Sequence, residues 1–263
     1  MNRINKKSMR RINARKITKA VKTLFIEANT VLGKDVMEAL QKALSTEESE
    51  TGRQVLQKMI ENADIARREK IPICQDTGLA VVFVELGQDV RVTGGPLQEA
   101  IEEGVRQAYQ DGYLRKSVCD PLTRANTNDN APSILHMDIV PGNQLRIIAM
   151  PKGGGSENMS AARMLTPAAG IEGIKKFVLE TVEAAGANPC PPIIVGVGIG
   201  GSLEQACILA KKALLRPLDG EHNKDERLAR MEDELLKRIN ALGIGPGGLG
   251  GRVTALAVSA EMM

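Results

Sequence analysis

The chain is 263 residues long, with 43% apolar and 25% charged residues and a formal net charge of +3, the balance of a globular protein able to bury a sizeable core. Its unusual feature is an aromatic fraction of 2%, with no Trp, two Tyr and three Phe. The core must therefore be built from Ile, Leu, Val, Met and Ala, and this composition argues against nucleic-acid binding by stacking bases on aromatic side chains.

The first 22 residues carry nine Lys or Arg and no acid. They read as a solvated basic terminus leading into a helix; contact with nucleic acid or an anionic surface, or an organelle presequence, are the other readings. Ile17, Ala20, Val21, Leu24 and Phe25 form the stripe of an amphipathic helix. Val36, Leu40 and Leu44 predict a second helix, and Val55, Met59, Ile60 and Ala63 a third. This helical block, 1–70, ends at Ile71-Pro72, because the residue before a proline is pushed out of helical dihedrals.

The segment 71–263 changes character. Ile71-Pro72-Ile73-Cys74-Gln75-Asp76-Thr77-Gly78 is a polar loop between a proline and a glycine, and it enters the Val-rich run Leu79 to Leu86, predicted as a buried strand. Leu97, Ala100, Ile101, Val105 and Ala108 predict a helix, and Ala125 to Pro132 an Asn-rich loop. Ile134 to Val140 and Leu145 to Met150 flank the turn Pro141-Gly142-Asn143 and predict a hairpin. Helices follow around Ile174 to Val182, over Leu203 to Leu214 and over Arg227 to Ile239, with a strand at Ile193 to Val197. Val253 to Val258 alternates too weakly to predict a strand. The pattern is α/β or mixed α+β, with a helical N-terminal block followed by alternating strands and helices, and one domain over 1–263 is expected.

Lys152-Gly153-Gly154-Gly155-Ser156-Glu157-Asn158 follows a strand, and its glycines can present backbone N–H groups, beside Lys152 and Ser156, to an anion. The lysine precedes the glycines, so this is not the phosphate loop of nucleotide-binding proteins, and a carboxylate suits it as well as a phosphate. Gly196-x-Gly198-x-Gly200-Gly201 meets the dinucleotide spacing only by counting, with no acid at the end of a following strand; close packing of helix on strand is the expected reason for these glycines. Four cysteines, Cys74, Cys119, Cys190 and Cys207, lie far apart and show no CxxC pair, so neither a zinc ribbon nor a compact disulfide framework is signalled. Cys207 falls on an apolar helix face and reads as a small core residue. Cys74 and Cys190 sit in proline-flanked loops beside strands, where thiolates could serve a soft metal or an iron–sulfur cluster. His136 and His222 read as packing or solvent-facing histidines. With no signal peptide and no apolar run near the roughly 20 residues of a membrane span, a cytoplasmic location is expected.

Taken together, Ile71-Pro-Ile-Cys-Gln-Asp-Thr-Gly78, Lys152-Gly-Gly-Gly-Ser-Glu-Asn158, Asn188-Pro-Cys-Pro-Pro192, Gly196-Val-Gly-Ile-Gly-Gly201, Leu214-Leu-Arg-Pro217 and Leu242-Gly-Ile-Gly-Pro246 make the chain resemble, over nearly its whole length, the alpha subunit of two-subunit class I fumarate hydratases. The resemblance implies a hydro-lyase that interconverts malate and fumarate, a tricarboxylic acid cycle step, at a four-iron, four-sulfur (4Fe-4S) cluster held by three cysteines. Cys74 and Cys190 match two of those ligands. Asp76 matches the proton donor to the departing hydroxyl, and Gln75, Arg115, Lys152, Gly154, Gly155 and Ser156 the residues that act around and hold a small dicarboxylate. The family's third cysteine has no counterpart in these 263 residues, and the base that handles the C–H proton is supplied by the beta part. A fumarase beta subunit is thus the implied partner, in a dimer of alpha–beta pairs, with the alpha chain inactive alone. L-tartrate dehydratase is the close alternative, and a catalytically silent assembly scaffold the alternative from another class.

Overall fold

A computed structural model describes residues 9–218 and 223–263; His222 lies outside them, as do the first eight residues of the basic terminus. In chain order the elements are β1 (Arg10–Asn13), α1 (Ala14–Thr30), α2 (Lys34–Thr46), α3 (Glu50–Glu69), β2 (Leu79–Gly87), β3 (Val90–Thr93), α4 (Leu97–Asp111), β4 (Ile134–Val140), β5 (Leu145–Lys152), α5 (Gly154–Glu157), α6 (Gly170–Ala185), β6 (Ile193–Ile199), α7 (Leu203–Ala213), α8 (Glu226–Asn240) and β7 (Ala255–Met262). The fold is mixed α/β, as the periodicity predicts, and the helical block carries one strand, β1, ahead of its first helix. No helix among the described residues is long and apolar enough to cross a membrane.

The chain divides into two compact units, the first formed by Met1–Leu32 with Ala63–Gly154 and the second by Gly33–Asn62 with Gly155–Met263. In the first unit Asn13 caps α1, its side-chain oxygen accepting from the Arg15 N–H at 2.9 Å. The predicted stripe is realised in part: Ile17, Val21 and Phe25 of α1 bury against Ile101, Val105, Ala108 and Tyr109 of α4 and against Val82 and Val84 of β2, Leu24 is half-buried, and Ala20 is exposed. Each such fully buried side chain contributes roughly 1.5–3 kcal/mol of hydrophobic stabilisation.

The expected hairpin is corrected by the sheet. Its order is β4-β2-β5, with β2 parallel to β4 and antiparallel to β5, so the two strands flank a third instead of pairing. The reason lies in β2, whose residues Ala80 to Phe83 are apolar and buried on both faces, which a central strand requires. The link after β4 passes over the end of β2, where the N–H groups of Gly87, Gln88 and Asp89 donate to the carbonyls of Gln144, Val140 and Gly142 at 2.7, 2.8 and 2.8 Å. Two strand spacings, about 10 Å, are within reach of such a short link at about 3.3 Å per residue.

In the second unit β6 and β7 pair in parallel. The core joins Val178 and Val182 of α6 to Leu228, Met231, Leu235 and Ile239 of α8 and to Val197, Ala255, Val258 and Ala260 of the strands. The glycines of the Gly196 to Gly201 segment have the expected cause. A Cβ on Gly198 would collide with the Ala206 carbonyl and one on Gly196 with the Ala210 carbonyl, so α7 lies directly on the β6 backbone. That arrangement corrects the reading of Cys207: the side of α7 turned to β6 is the one carrying Ala206 and Ala210, and Cys207 is exposed. From Ala255 on, the weakly alternating segment is also part of a strand, β7, because pairing with β6 supplies what its alternation does not. Glu47, 4% exposed, ties the unit together: its carboxylate accepts from the N–H groups of Glu48 and Ser49 ahead of α3, at 2.9 Å each, and from Arg252 and Val253 ahead of β7, at 2.9 and 2.8 Å.

Candidate active site

The antiparallel β2–β5 ladder pairs Leu79 with Lys152, so the residues just before β2 and just after β5 meet at one end of the sheet. The first group is Cys74-Gln75-Asp76 and the second is Lys152-Gly153-Gly154. Gly78 has φ +76, and a Cβ there would strike the Lys152 backbone, so only glycine lets the two segments come this close. The Asp76 carboxylate accepts from the Gly154 N–H at 2.7 Å through one oxygen and from the Gly78 N–H at 3.2 Å through the other. The amide of Gly154, expected at an anion, thus serves the protein's own carboxylate. Cys74 and Gln75 form the exposed tip of the loop, with the Cys74 sulfur 3.5 Å from the Gln75 side-chain oxygen and accepting from the Asp76 N–H at 3.4 Å.

Beneath this tip the loop is clamped by residues that sequence reasoning did not single out. The buried Tyr109 hydroxyl lies 2.8 and 2.9 Å from the carbonyl oxygens of Thr77 and Gly78. Burial, with the Asp76 charge adding to it, pushes the Tyr109 phenol well up, so it stays protonated and donates. Asn130, fully buried at φ +60, accepts from the N–H groups of Ser117 and Val118 at 2.5 and 3.1 Å and donates to the Gly78 carbonyl at 3.3 Å. Thr77 completes the clamp, its hydroxyl donating to the Arg115 carbonyl at 2.8 Å. The exposed Arg115 side chain is thereby held on a segment fastened to the Asp76 loop. The one sequence signal for Asn130 is a buriable asparagine in a loop that needs a left-handed residue.

In the second unit Gly155 and Ser156 belong to the short helix α5, and Glu157 of the same turn is ion-paired with Lys211 of α7. A Cβ on Gly155 would come 3.3 Å from the Asn188 carbonyl, which puts this turn against the Asn188 to Pro192 loop. Cys190 at the loop's tip is exposed and has φ 57, a left-handed conformation that costs a non-glycine residue energy. The loop is held from below by the Gly247 N–H, which donates to the Pro191 carbonyl at 2.7 Å. The structure thus brings Cys74, Gln75, Asp76, Lys152 and Gly154 to one end of a sheet with Arg115 fastened nearby, and separately brings Gly155 and Ser156 beside the Cys190 loop.

A family model for fumarate hydratase (Fumerase) matches residues 18–263. The chain belongs to the fumarate hydratase family. Among curated relatives, the chain is 48% identical over 253 residues to a protein of Methanocaldococcus jannaschii named "Putative L(+)-tartrate dehydratase subunit alpha", covering 94% of this chain and 88% of that one. It is 34% identical over 250 residues to the L(+)-tartrate dehydratase subunit alpha of Escherichia coli strain UTI89, covering 94% and 82%, and 33% identical to the protein of that name in strain K12.

The thiols of this Fumerase-family chain bear on the cluster that the resemblance implies. Cys74 and Cys190 are free and exposed at loop tips, the setting in which a thiolate can take a metal; Cys119 is half-buried, and Cys207, also free and exposed, lies on the helix α7. Among the described residues no three His, Cys, Asp or Glu side chains are grouped to hold a metal ion. The donors therefore suit an iron–sulfur cluster in kind, and in number they supply only part of the ligand set.

Proposed function

We propose that the chain is the alpha subunit of a hydro-lyase that interconverts malate and fumarate together with a beta subunit. Family membership supports the reaction class, and the name "subunit alpha" of the relatives supports a partner chain. The observation that carries the catalytic reading is the Asp76 carboxylate, seated beside the Lys152-Gly153-Gly154 segment on a Gly154 hydrogen bond of 2.7 Å.

Protonated Asp76 gives its proton to the hydroxyl that leaves malate, so the C–O bond breaks with release of water. The N–H groups of Gly154 and Gly78 hold this carboxyl group in place. In hydration the same carboxylate takes a proton from the incoming water. Gln75, Arg115, Lys152, Gly155 and Ser156 hold the dicarboxylate by charge and hydrogen bonding. The C–H proton goes to a base on the partner subunit. Cys74 and Cys190 would be two thiolate ligands of a four-iron, four-sulfur cluster, which when bound would supply a Lewis-acidic iron to polarise the substrate hydroxyl.

The second reading is L-tartrate dehydration, which the names of the relatives favour. Anaerobic iron and sulfide reconstitution of the chain with a beta partner, followed by paired assays on malate and L-tartrate, separates the two. Turnover of malate is the expected result; turnover of tartrate alone would overturn the substrate assignment, and absence of bound iron with the partner present would overturn the cluster.

A further inference from the structure

Gly155 and Ser156 of the α5 turn are exposed, and the next residue of the same turn is Glu157. A carboxylate therefore stands one residue from two groups assigned to the substrate. Malate, fumarate and tartrate are dianions near neutral pH, and a like charge close by opposes their binding. A site for dianions that carries its own carboxylate needs that charge cancelled.

Lys211 does this. Its ammonium is ion-paired with Glu157, and the two side chains are 21% and 30% exposed, so the pair is sheltered from much of the screening by water that weakens surface pairs. The lysine has a fixed place. It lies in the last turn of α7, directly after Ala210, and α7 is seated on the β6 backbone where a Cβ on Gly196 would strike the Ala210 carbonyl. The α5 turn has supports of its own on the other side. The Asn188 carbonyl lies against Gly155, and the Asn188 side-chain amide donates to the Met159 sulfur at 3.6 Å. The charge of Lys211 and the shape of the turn can thus be separated by experiment.

We propose that Lys211 determines the affinity of the site for dianions, cancelling the charge of Glu157 at the turn that meets the dicarboxylate. The inference rests on the reading of Gly155 and Ser156 as substrate-binding residues. Lys211 acts through Glu157 and has no part in moving a proton. Its removal adds one net negative charge beside the substrate, and removal of Glu157 subtracts one.

The two single variants should therefore move binding in opposite directions, which loss of a merely structural ion pair would not do. The test is titration calorimetry of the reconstituted assembly with succinate, a dicarboxylate that a hydro-lyase cannot turn over, with circular dichroism to verify folding. Lys211→Met should weaken succinate binding about tenfold, and the defect should shrink between about 0.05 and about 0.5 M salt as the added charge is screened. Glu157→Gln should bind succinate as tightly as wild type or more tightly, and the double variant Lys211→Met with Glu157→Gln should recover affinity. In the assembly's own turnover, Lys211→Met should raise KM by a similar factor with kcat little changed. Unaltered binding in Lys211→Met, weakening in Glu157→Gln equal to that in Lys211→Met, a double variant that fails to recover, or a wild-type assembly that binds no succinate would each overturn the role of Lys211. An assembly that binds succinate in this Lys211-dependent way yet turns over neither malate nor L-tartrate would overturn the proposed reaction and leave the role of Lys211 standing.

Discussion

The Asp76 carboxylate accepts from the backbone N–H of Gly154, 78 residues away in sequence, at 2.7 Å. The antiparallel ladder between β2 and β5 makes this contact, because it pairs Leu79 with Lys152 and so sets the two loops side by side. An acid and a glycine segment that look independent in sequence become one device, and the first prediction follows from it.

Asp76→Asn keeps one of the two hydrogen-bond-accepting oxygens and removes the proton that the hydroxyl needs. Turnover of malate by the reconstituted assembly should fall about 10²- to 10⁴-fold, the usual contribution of general acid catalysis, with iron content unchanged. Loss of iron in this variant would show that Asp76 serves to hold the loop.

Tyr109→Phe removes the hydroxyl that reaches the Thr77 and Gly78 carbonyls. Leaving the buried Thr77 carbonyl without that donor should cost about 1–3 kcal/mol, read as a lower Tm. Because the same clamp positions the proton donor Asp76, kcat should fall. A Tm loss with full activity would mean the clamp is structural only.

Glu47 predicts a pH dependence in the acid range. Burial alone would raise its pKa, but the hydrogen bonds from the N–H groups of Arg252, Ser49, Val253 and Glu48 outweigh that and hold the carboxyl below its ordinary value. A depressed folded value means that the stabilisation is fully present above the unfolded pKa of about 4.3 and is lost as pH falls through the folded value. Glu47→Gln should lower Tm at pH 7, and the gap from wild type should narrow as pH falls below about 4. A gap constant with pH would show that ionisation of Glu47 contributes nothing.

Gly198→Ala tests the contact of α7 with β6. The added methyl meets the Ala206 carbonyl, which is backbone and cannot rotate away, so a loss of about 1–3 kcal/mol is expected in denaturant unfolding, as for overpacked cores. A neutral substitution would mean that α7 shifts freely on the sheet.

By itself the sequence determined most of the longer helices and strands, though not β1, β3 or β7, and it suggested the chemistry they could carry. The stripe at Ile17, Val21 and Phe25, the apolar run that becomes β2 and the polar loop at Cys74 are local patterns, set by helix and strand periodicity and by proline and glycine, and they are legible without a partner segment. The structure alone decided which segments meet. Ile134 to Val140 and Leu145 to Met150 read as a hairpin because alternation marks a strand without naming its neighbour, and only the two buried faces of β2 reveal that it lies between them. Cys207 read as buried because a helix stripe marks an apolar face without saying which side packs; the glycines of β6 drew Ala206 and Ala210 to the strand instead. The roles of Tyr109 and Asn130 were not legible in sequence for the same reason: they act on Thr77 and Gly78 from 31 to 52 residues away, and hydrogen bonds over such distances exist only once the chain has folded.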